Sequence, residues 1–436
     1  MSRYVQNIWA LLSVAVLVQL VLVAEGLFGI ATPMGDVPNV YAPWMQQLMQ
    51  HGTLWGITVD WVYPLVALVP LLLSSFLGNL IPGQDFLVGW LLVCGALNVF
   101  AAGSLVRWGR SKERSWYLLA WYFLFFELLL GPVSISRLDS VSVALAVFAI
   151  RPIVESRQAV ASLWLILATW IKVWPVALIL ALWLASKRRF LVFGSISLAT
   201  LGILGIGLIF GGGASMFSFI TTQTNRGIQI EAPIATPWLW QGIFGVADTG
   251  VYYDNQLLTF QVFGTGVSLV AALMGAAMAV ALAITVWLGW RAAKSGHDSV
   301  TLIAAISLTA TLDMIVFNKV GSPQYIAWLL VPLLLAMLRS QSIPVIAGLV
   351  LAGLTHLVYP VVYDGILVGN PAATAILGVR NLVLIALLVW SNLWLTQLGK
   401  PAKFGEQAKS GEPDNQESSS SLSSLPTTSR SIKNPS

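Results

Sequence analysis

The chain has 436 residues, of which 57% are hydrophobic and only 9% carry a charge. Because water-soluble domains carry roughly 25% charged residues, this composition excludes a soluble globular protein. The formal net charge of +5 would fit a nucleic acid partner in a soluble protein. In a membrane protein, cations collected in the cytoplasmic loops account for it, so we expect no nucleic acid partner.

Metal and disulfide chemistry have little support in the sequence. Cys94 is the only cysteine, so no disulfide can form within the chain. The three histidines, His51, His297 and His356, lie far apart. We therefore expect neither a metal site nor a cofactor.

Apolar runs recur along the chain and predict an all-α polytopic membrane protein. Runs of about 15 to 25 residues are long enough for helices that cross a hydrocarbon core of roughly 30 Å. No small-residue cleavage site follows the first run, so we interpret it as a span and not as a signal peptide. The predicted spans number about twelve: 6–24, 86–106, 116–132, 138–150, 158–171, 173–186, 190–211, 266–290, 299–317, 324–338, 342–359 and 376–397.

Residues 64–80 are also apolar but are bounded and broken by Pro64, Pro70 and Pro82. A full span at this point would reverse the sidedness of every later loop. We therefore expect a re-entrant or surface-lying element on the outer side.

The distribution of Lys and Arg orients the predicted spans. With the N-terminus in the cytoplasm, most cations fall in brief inner loops, as the positive-inside rule requires. Two long outer loops result, at about 25–85 and 213–265, within a transmembrane domain of residues 1–399. Residues 400–436 are rich in Lys, Glu, Ser and Pro, which predicts a disordered cytoplasmic tail.

Five of the 23 Lys and Arg residues fall on or near the outer side, each in a stretch otherwise free of cations. They are Arg137, Lys172, Arg226, Lys319 and Arg380. A charge near membrane depth is costly and faces a cavity or a partner. Each cation could pair with a nearby acid, such as Arg137 with Asp139 or Arg226 with Glu231. For all five together, one shared anionic ligand, such as a lipid-linked phosphate, is the more economical interpretation.

The first outer loop contains a carboxylate suited to proton transfer. Asp36 lies between two prolines, with Tyr41 and Trp44 close by. A carboxylate beside a dry cavity can take a proton from a hydroxyl group, and aromatic faces hold sugar rings. Asp36 could instead cap the helix predicted for "APWMQQLMQHG", which Gly52 would end. From these residues alone, capping is favoured over catalysis.

Two acids at membrane depth support a different interpretation. Glu127 and Asp313 could be the coupling sites of a transporter or lipid flippase. The long outer loops and the lack of a visible repeat argue against this alternative, and we interpret Glu127 as a buried structural acid. A non-catalytic scaffold of cell-wall assembly is a third alternative.

Several stretches of the sequence occur in a characteristic order. They are "GDVPNVYAPWMQQLMQHG", "SRLDSVSVALAVFAI", "ATWIKVWPVALILALWLASKRR", "TNRGIQIEAP" and "NKVGSPQYIAWLLVPLLL". In this order, over about residues 34–338, they resemble glycosyltransferase family 87. The resemblance implies the C-type (GT-C) membrane glycosyltransferase fold and a polyprenol-phosphate sugar as donor.

The resemblance also implies roles for individual residues. The family's first outer loop carries an aspartate that acts as catalytic base, and Asp36 stands at the matching position. Asp60 is held in reserve because Tyr63-Pro64-Leu65 departs from the family's usual Tyr-Pro-Pro. Together with the lone outer cations, the resemblance predicts donor-phosphate binding by Lys172, Arg226, Lys319 and Arg137. It predicts sugar or acceptor binding by Tyr41, Gln229, Glu231 and Gln324.

The function expected on this basis is that of an inverting glycosyltransferase. It would move a sugar, with mannose favoured by the resemblance, to a cell-envelope glycolipid or polysaccharide. The reaction would take place on the outer face of the bacterial plasma membrane, with Asp36 as general base and without a metal.

Overall fold

The computed structural model describes residues 6–30, 33–82, 85–222 and 226–400. Helices make up almost all of its regular structure. In chain order they are α1 Ile8–Phe28, α2 Ala42–His51, α3 Leu68–Leu80, α4 Phe86–Leu105, α5 Arg114–Leu130, α6 Leu138–Phe148, α7 Ile150–Val154, α8 Gln158–Thr169, α9 Val176–Ala185, α10 Arg189–Ile209, α11 Ser218–Thr221, α12 Thr236–Ile243, α13 Val267–Ala292, α14 Ser299–Val316, α15 Leu330–Met337, α16 Ser342–His356, α17 Tyr363–Leu367 and α18 Pro371–Leu398. Within the described ranges, the strands are β1 Gly250–Asp254 and β2 Thr259–Phe263, paired as an antiparallel hairpin.

Eight helical segments of the described chain are long and apolar enough to cross a membrane. They are Ile8–Phe28, Phe86–Leu105, Arg114–Ser134, Arg189–Ile209, Val267–Ala292, Ser299–Val316, Ser342–Val361 and Pro371–Leu398. The all-α polytopic class is therefore confirmed. Four shorter apolar segments accompany them: Leu65–Leu80, Gln158–Thr169, Val176–Ala185 and Pro323–Met337. The count of about twelve spans and the long first outer loop stay predictions.

Side-chain caps set where several of the long helices begin. Asn7 accepts hydrogen bonds from the backbone N–H groups of Trp9 and Ala10 at the start of α1. Asp85 caps α4 in the same way, and Asp298 and Asn370 cap α14 and α18. A short polar side chain at this position satisfies N–H groups that the helix itself leaves without acceptors.

Helix α14 lies at the centre of the bundle, packed against α9, α13, α15 and α18. Its small side chains, including the fully buried Ala304, Ser307 and Ala310, let neighbouring helices approach closely. Helices α10 and α13 lie at the periphery, where residues such as Leu198 and Leu269 are exposed. An exposed face this apolar needs lipid as its solvent.

The two acids at membrane depth are satisfied by neighbouring polar side chains. Gln19 Nε2 donates to Glu127 Oε2 at 3.1 Å, and Asn98 Nδ2 donates to Gln19 Oε1 at 3.2 Å. Thr285 Oγ1 donates to Asp313 Oδ2 at 2.6 Å. These contacts between helices agree with a structural interpretation of Glu127.

The segment between α1 and α4 is compact and rich in aromatic residues. A short π-helical turn, Val37–Tyr41, leads into α2. Helix α2 ends at Gly52, which has a left-handed backbone with φ of 68°, so the expected helix end is confirmed. Trp44 packs edge-on against Trp61 and Tyr63 at centroid distances of 5.4 and 5.9 Å. Apart from Lys400, the predicted disordered tail 400–436 lies outside the described residues.

Candidate active site

Asp36 does not cap a helix. It precedes the π-helical turn and makes no side-chain capping hydrogen bond. Helix α2 begins later, after Tyr41, so the capping interpretation is wrong for this residue. Since the turn takes up the residues between Asp36 and α2, the carboxylate is available for other contacts.

The Asp36 carboxylate forms an ion pair with Arg137, in which Oδ2 and Nε lie 2.8 Å apart. Arg137 Nη1 also donates to the Pro33 carbonyl at 2.9 Å and to the Ser136 carbonyl and hydroxyl at 2.9 and 3.1 Å. The Arg137 side chain is 13% exposed, whereas that of Asp36 is 41% exposed. A largely buried guanidinium thus holds a carboxylate that stays accessible.

The alternative in which Arg137 pairs with Asp139 is wrong, because Asp139 pairs with Lys172. Lys172 Nζ lies 3.2 Å from Asp139 Oδ2, and Trp328 Nε1 donates to Asp139 Oδ1 at 2.7 Å. Burial disfavours the charge on Lys172, but the attraction of Asp139 outweighs it and raises the Lys172 pKa. The ammonium group therefore stays charged, and it lies 4.7 Å above the centre of the Tyr63 ring.

Tyr41 belongs to the wall of the site and not to its open face. Its ring is 1% exposed and packs against Trp44 and Trp90 at 5.7 and 5.3 Å between centroids. Its hydroxyl accepts a hydrogen bond from the Leu138 backbone N–H at 3.3 Å. This packing fixes the start of α6, the helix that follows Arg137.

Two further cations lie close to each other on the segments around residues 226 and 319. The Gln229 backbone N–H donates to the Lys319 carbonyl at 2.9 Å, and Gln229 Oε1 accepts from Ser322 Oγ at 3.3 Å. Burial and then repulsion by Arg226 lower the Lys319 pKa. Two cations held within mutual repulsion are stabilised by an anion placed between them.

Tyr325 connects these cations with Lys172. Electrostatic interactions reach its hydroxyl from Lys172, Asp139 and Arg226. Its ring stacks on Trp328 at 4.0 Å between centroids. Trp328 in turn donates a hydrogen bond to Asp139, so the Tyr325 ring is held near that carboxylate. Lys172 and Arg226 thus both interact with the Tyr325 hydroxyl, and Arg226 also interacts with Lys319.

A family model for glycosyltransferase family 87 matches residues 61–318, which is more than half of the chain. The chain belongs to glycosyltransferase family 87. It is thus a glycosyltransferase, with a sugar donor and an acceptor as its substrates, and this favours the enzyme over a transporter, a flippase or a scaffold. A comparison with curated proteins found no match.

The family 87 match covers only part of the predicted site. Arg137, Lys172 and Arg226 lie inside it, whereas Asp36 precedes it and Lys319 is the residue immediately after it. Asp36 is connected to the matched region by its ion pair with Arg137, and Lys319 by its hydrogen bond with Gln229.

The remaining predicted residues differ in their surroundings. Glu231 is only 5% exposed, and its Oε1 accepts a hydrogen bond from Tyr363 at 2.9 Å. Among the ion pairs of the described chain, the alternative pair of Arg226 with Glu231 does not occur. Gln324 is half-buried near the start of a 3₁₀ turn, and Asp60 is exposed.

Sequence reasoning missed the aromatic residues that connect the charges. Tyr63, Tyr325 and Trp328 stand in the motifs "YPL" and "SPQYIAW". These motifs could be recognised in the sequence, but they did not predict which charged side chains the aromatic residues contact. Tyr359 and Tyr363 stand in "VYPVVYD", where nothing in the sequence pointed to the site. No group of three or more His, Cys, Asp or Glu side chains that could hold a metal occurs among the residues that the structure describes.

Proposed function

We propose that this family 87 enzyme transfers mannose from a polyprenol-phosphate donor to a hydroxyl group of a cell-envelope glycolipid or polysaccharide. The observation that carries the proposal is the ion pair of Asp36 with Arg137, in which the carboxylate remains 41% exposed. Tyr63 lies in electrostatic contact with Arg137 and under Lys172. A candidate base and a candidate phosphate ligand thus flank one aromatic side chain.

The donor phosphate binds near Lys172, Arg226 and Lys319. Lys172 and Arg226 interact electrostatically with Tyr325, and Arg226 repels Lys319. The singly charged phosphodiester of the donor relieves that repulsion. Fixed cations stabilise a leaving phosphate most strongly when its charge develops in the transition state. The isoprenoid chain stays in the lipid that the exposed apolar helices require.

Asp36 acts as the general base on the acceptor. It takes the proton of the acceptor hydroxyl, whose oxygen forms the new bond to the anomeric carbon while the bond to the phosphate oxygen breaks. The base and the phosphate stand on opposite sides of that carbon, so the configuration inverts. A β-linked mannosyl phosphate then yields an α-mannoside.

The reaction takes place on the outer face of the bacterial plasma membrane. The support is the charge distribution, because most Lys and Arg residues fall in the loops assigned to the cytoplasm. Asp36 and the three phosphate-binding cations fall on the opposite side in that assignment.

The test compares Asp36→Asn with Asp60→Asn in the purified enzyme, reconstituted in lipid and supplied with radiolabelled polyprenol-phosphate mannose. Loss of a general base lowers the rate by roughly 10²- to 10⁴-fold, so Asp36→Asn loses transfer to that extent. Asp60 is exposed, and Asp60→Asn keeps wild-type activity.

The reverse pattern, with Asp60→Asn inactive and Asp36→Asn active, would make Asp60 the base. Full activity in both variants would refute the carboxylate mechanism. Transfer from a nucleotide sugar but not from the lipid-linked donor would refute the donor assignment.

A further inference from the structure

The buried carboxylate of Glu231 is held by residues from the C-terminal part of the chain. Tyr363 donates its hydroxyl to Glu231 Oε1 at 2.9 Å, and Arg380 attracts the carboxylate from α18. Arg380 is itself only 1% exposed. Burying a carboxylate is costly unless hydrogen bonds and an opposite charge compensate. The Tyr363 hydrogen bond and the charge of Arg380 oppose the rise in the Glu231 pKa that burial causes.

The segment around Glu231 is coupled to the two cations assigned to the phosphate. The Ile230 backbone N–H donates to the Phe260 carbonyl at 3.2 Å, and the Gln229 N–H donates to the Lys319 carbonyl at 2.9 Å. Arg226 precedes this segment by only a few residues. A shift of Glu231 therefore moves the backbone that carries Arg226 and is bonded to Lys319.

The same C-terminal segment reaches the base. Tyr359 interacts electrostatically with Arg137, Asp36 and Glu231, and its ring packs edge-on against Tyr363 at 5.0 Å between centroids. Ile228 and Ile230 share a buried apolar cluster with Val358, next to Tyr359 in the chain. The segment from 357 to 363 thus contacts both sides of the site, although it lies beyond the family match, which ends at residue 318.

We infer that Tyr363 is a positioning residue, which acts through Glu231 to hold Arg226 and Lys319 where the donor phosphate binds. The inference rests on the proposed function, because it takes the ligand of these cations to be a polyprenol phosphate. It assigns Glu231 to the support of the cations, since its carboxylate is buried and bonded to Tyr363.

The experiment compares Tyr363→Phe with Tyr122→Phe. Tyr122 is a matched control, because its hydroxyl also makes a hydrogen bond of 2.9 Å, to the Val345 carbonyl between α5 and α16. The probe is radiolabelled decaprenyl phosphate, bound to the full-length protein in lipid nanodiscs. Loss of a hydrogen bond to a charged group corresponds to about tenfold in an equilibrium constant. Tyr363→Phe therefore binds the probe about tenfold more weakly, and Tyr122→Phe binds like the wild type.

The pH profile of transfer is a second readout, because removing a hydroxyl with a purely structural role would leave this profile unchanged. Burial raises the Glu231 pKa, and Tyr363 and Arg380 oppose that rise; the Tyr359 hydroxyl also faces this carboxylate. Without the Tyr363 hydroxyl the Glu231 pKa rises further. The inference requires the ionised form of Glu231, so the loss of kcat/KM on acidification begins at a higher pH in Tyr363→Phe than in the wild type and is unchanged in Tyr122→Phe.

The outcomes separate the inference from the proposed function. If the wild type binds decaprenyl phosphate and the two variants bind it equally well, Tyr363 is not a positioning residue. An acid limb that does not move in Tyr363→Phe would also overturn the inference. If the wild type does not bind the probe at all, the donor assignment fails and the inference falls with it.

Discussion

Lys172 and Asp139 form an ion pair whose two side chains differ in exposure, at 18% and 2%. In Lys172→Met, the Asp139 carboxylate stays buried with the Trp328 indole as its remaining hydrogen-bond donor. Breaking a buried pair on one side costs roughly 3–5 kcal/mol, so the variant unfolds at a lower temperature. Thermal unfolding in detergent measures the loss.

The double variant Lys172→Met/Asp139→Asn separates stability from catalysis. Without the buried charge it recovers most of the lost stability, as a double-mutant cycle would record. Its transfer rate stays low, because the proposed phosphate ligand Lys172 is still missing. Recovery of the rate together with the stability would show that Lys172 has only a structural role.

The ion pairs of single residues were the least predictable feature of the site. Arg137 and Asp139 are two positions apart, which made them look like partners. Arg137 has an extended backbone before α6, and Asp139 lies in the first helical turn. Side chains two positions apart do not face each other there, so each found a partner from a distant segment.

At the scale of elements, the segments around Gln229 and Gly321 meet without room for a side chain. A Cβ atom on Gly321 would collide with backbone atoms of Glu231 and Ala232. Gly321→Ala therefore pushes the two segments apart, with a stability loss of about 1–3 kcal/mol as for other overpacked sites. It also displaces Lys319, so the KM for the donor rises.

Gly353→Ala is the control for this prediction. A Cβ at Gly353 in α16 would meet no atom within 4 Å. Because alanine also favours the helix over glycine, the unfolding temperature of Gly353→Ala does not fall, and its KM does not change. A Gly321→Ala enzyme with an unchanged KM would argue against the close packing as the element that places Lys319.

The long helices were predictable because each one coincides with a continuous run of apolar residues in the sequence. The predicted span 299–317 corresponds to Ser299–Val316, and 266–290 corresponds to Val267–Ala292. The short elements of the site were not predictable in this way. The π-helical turn Val37–Tyr41 buries Val37 and Tyr41 against the rest of the molecule, so its form depends on contacts that no local pattern contains.

At the scale of the whole molecule, the side of the membrane on which each loop lies can be tested by labelling introduced cysteines, since the natural cysteine is buried. Cys94 is the only cysteine and is fully buried in α4, so it does not react with a membrane-impermeant maleimide. We expect Asp60→Cys, at an exposed position, to be labelled in intact cells. Lys187→Cys, exposed between α9 and α10, is labelled only after permeabilisation. The opposite pattern would place the site on the cytoplasmic face.

Composition and hydropathy were sufficient to predict the membrane class, since a chain with 9% charged residues has no other suitable solvent. The meeting of Asp36 with Arg137, and of Gln229 with Lys319, depends on how helices far apart in sequence pack together. The resemblance of the motifs predicted that these residues share one function, but the partners of each charge required the structure.

The three backbone and hydroxyl acceptors around Arg137 have a consequence for turnover. They hold Nη1 independently of Asp36, whose carboxylate bonds to Nε. In the proposed mechanism Asp36 gains a proton and loses its charge, and these acceptors still hold the guanidinium in place. When the proposed base loses that proton again, it pairs with an Arg137 side chain that has not moved, so each proposed cycle begins from the same arrangement.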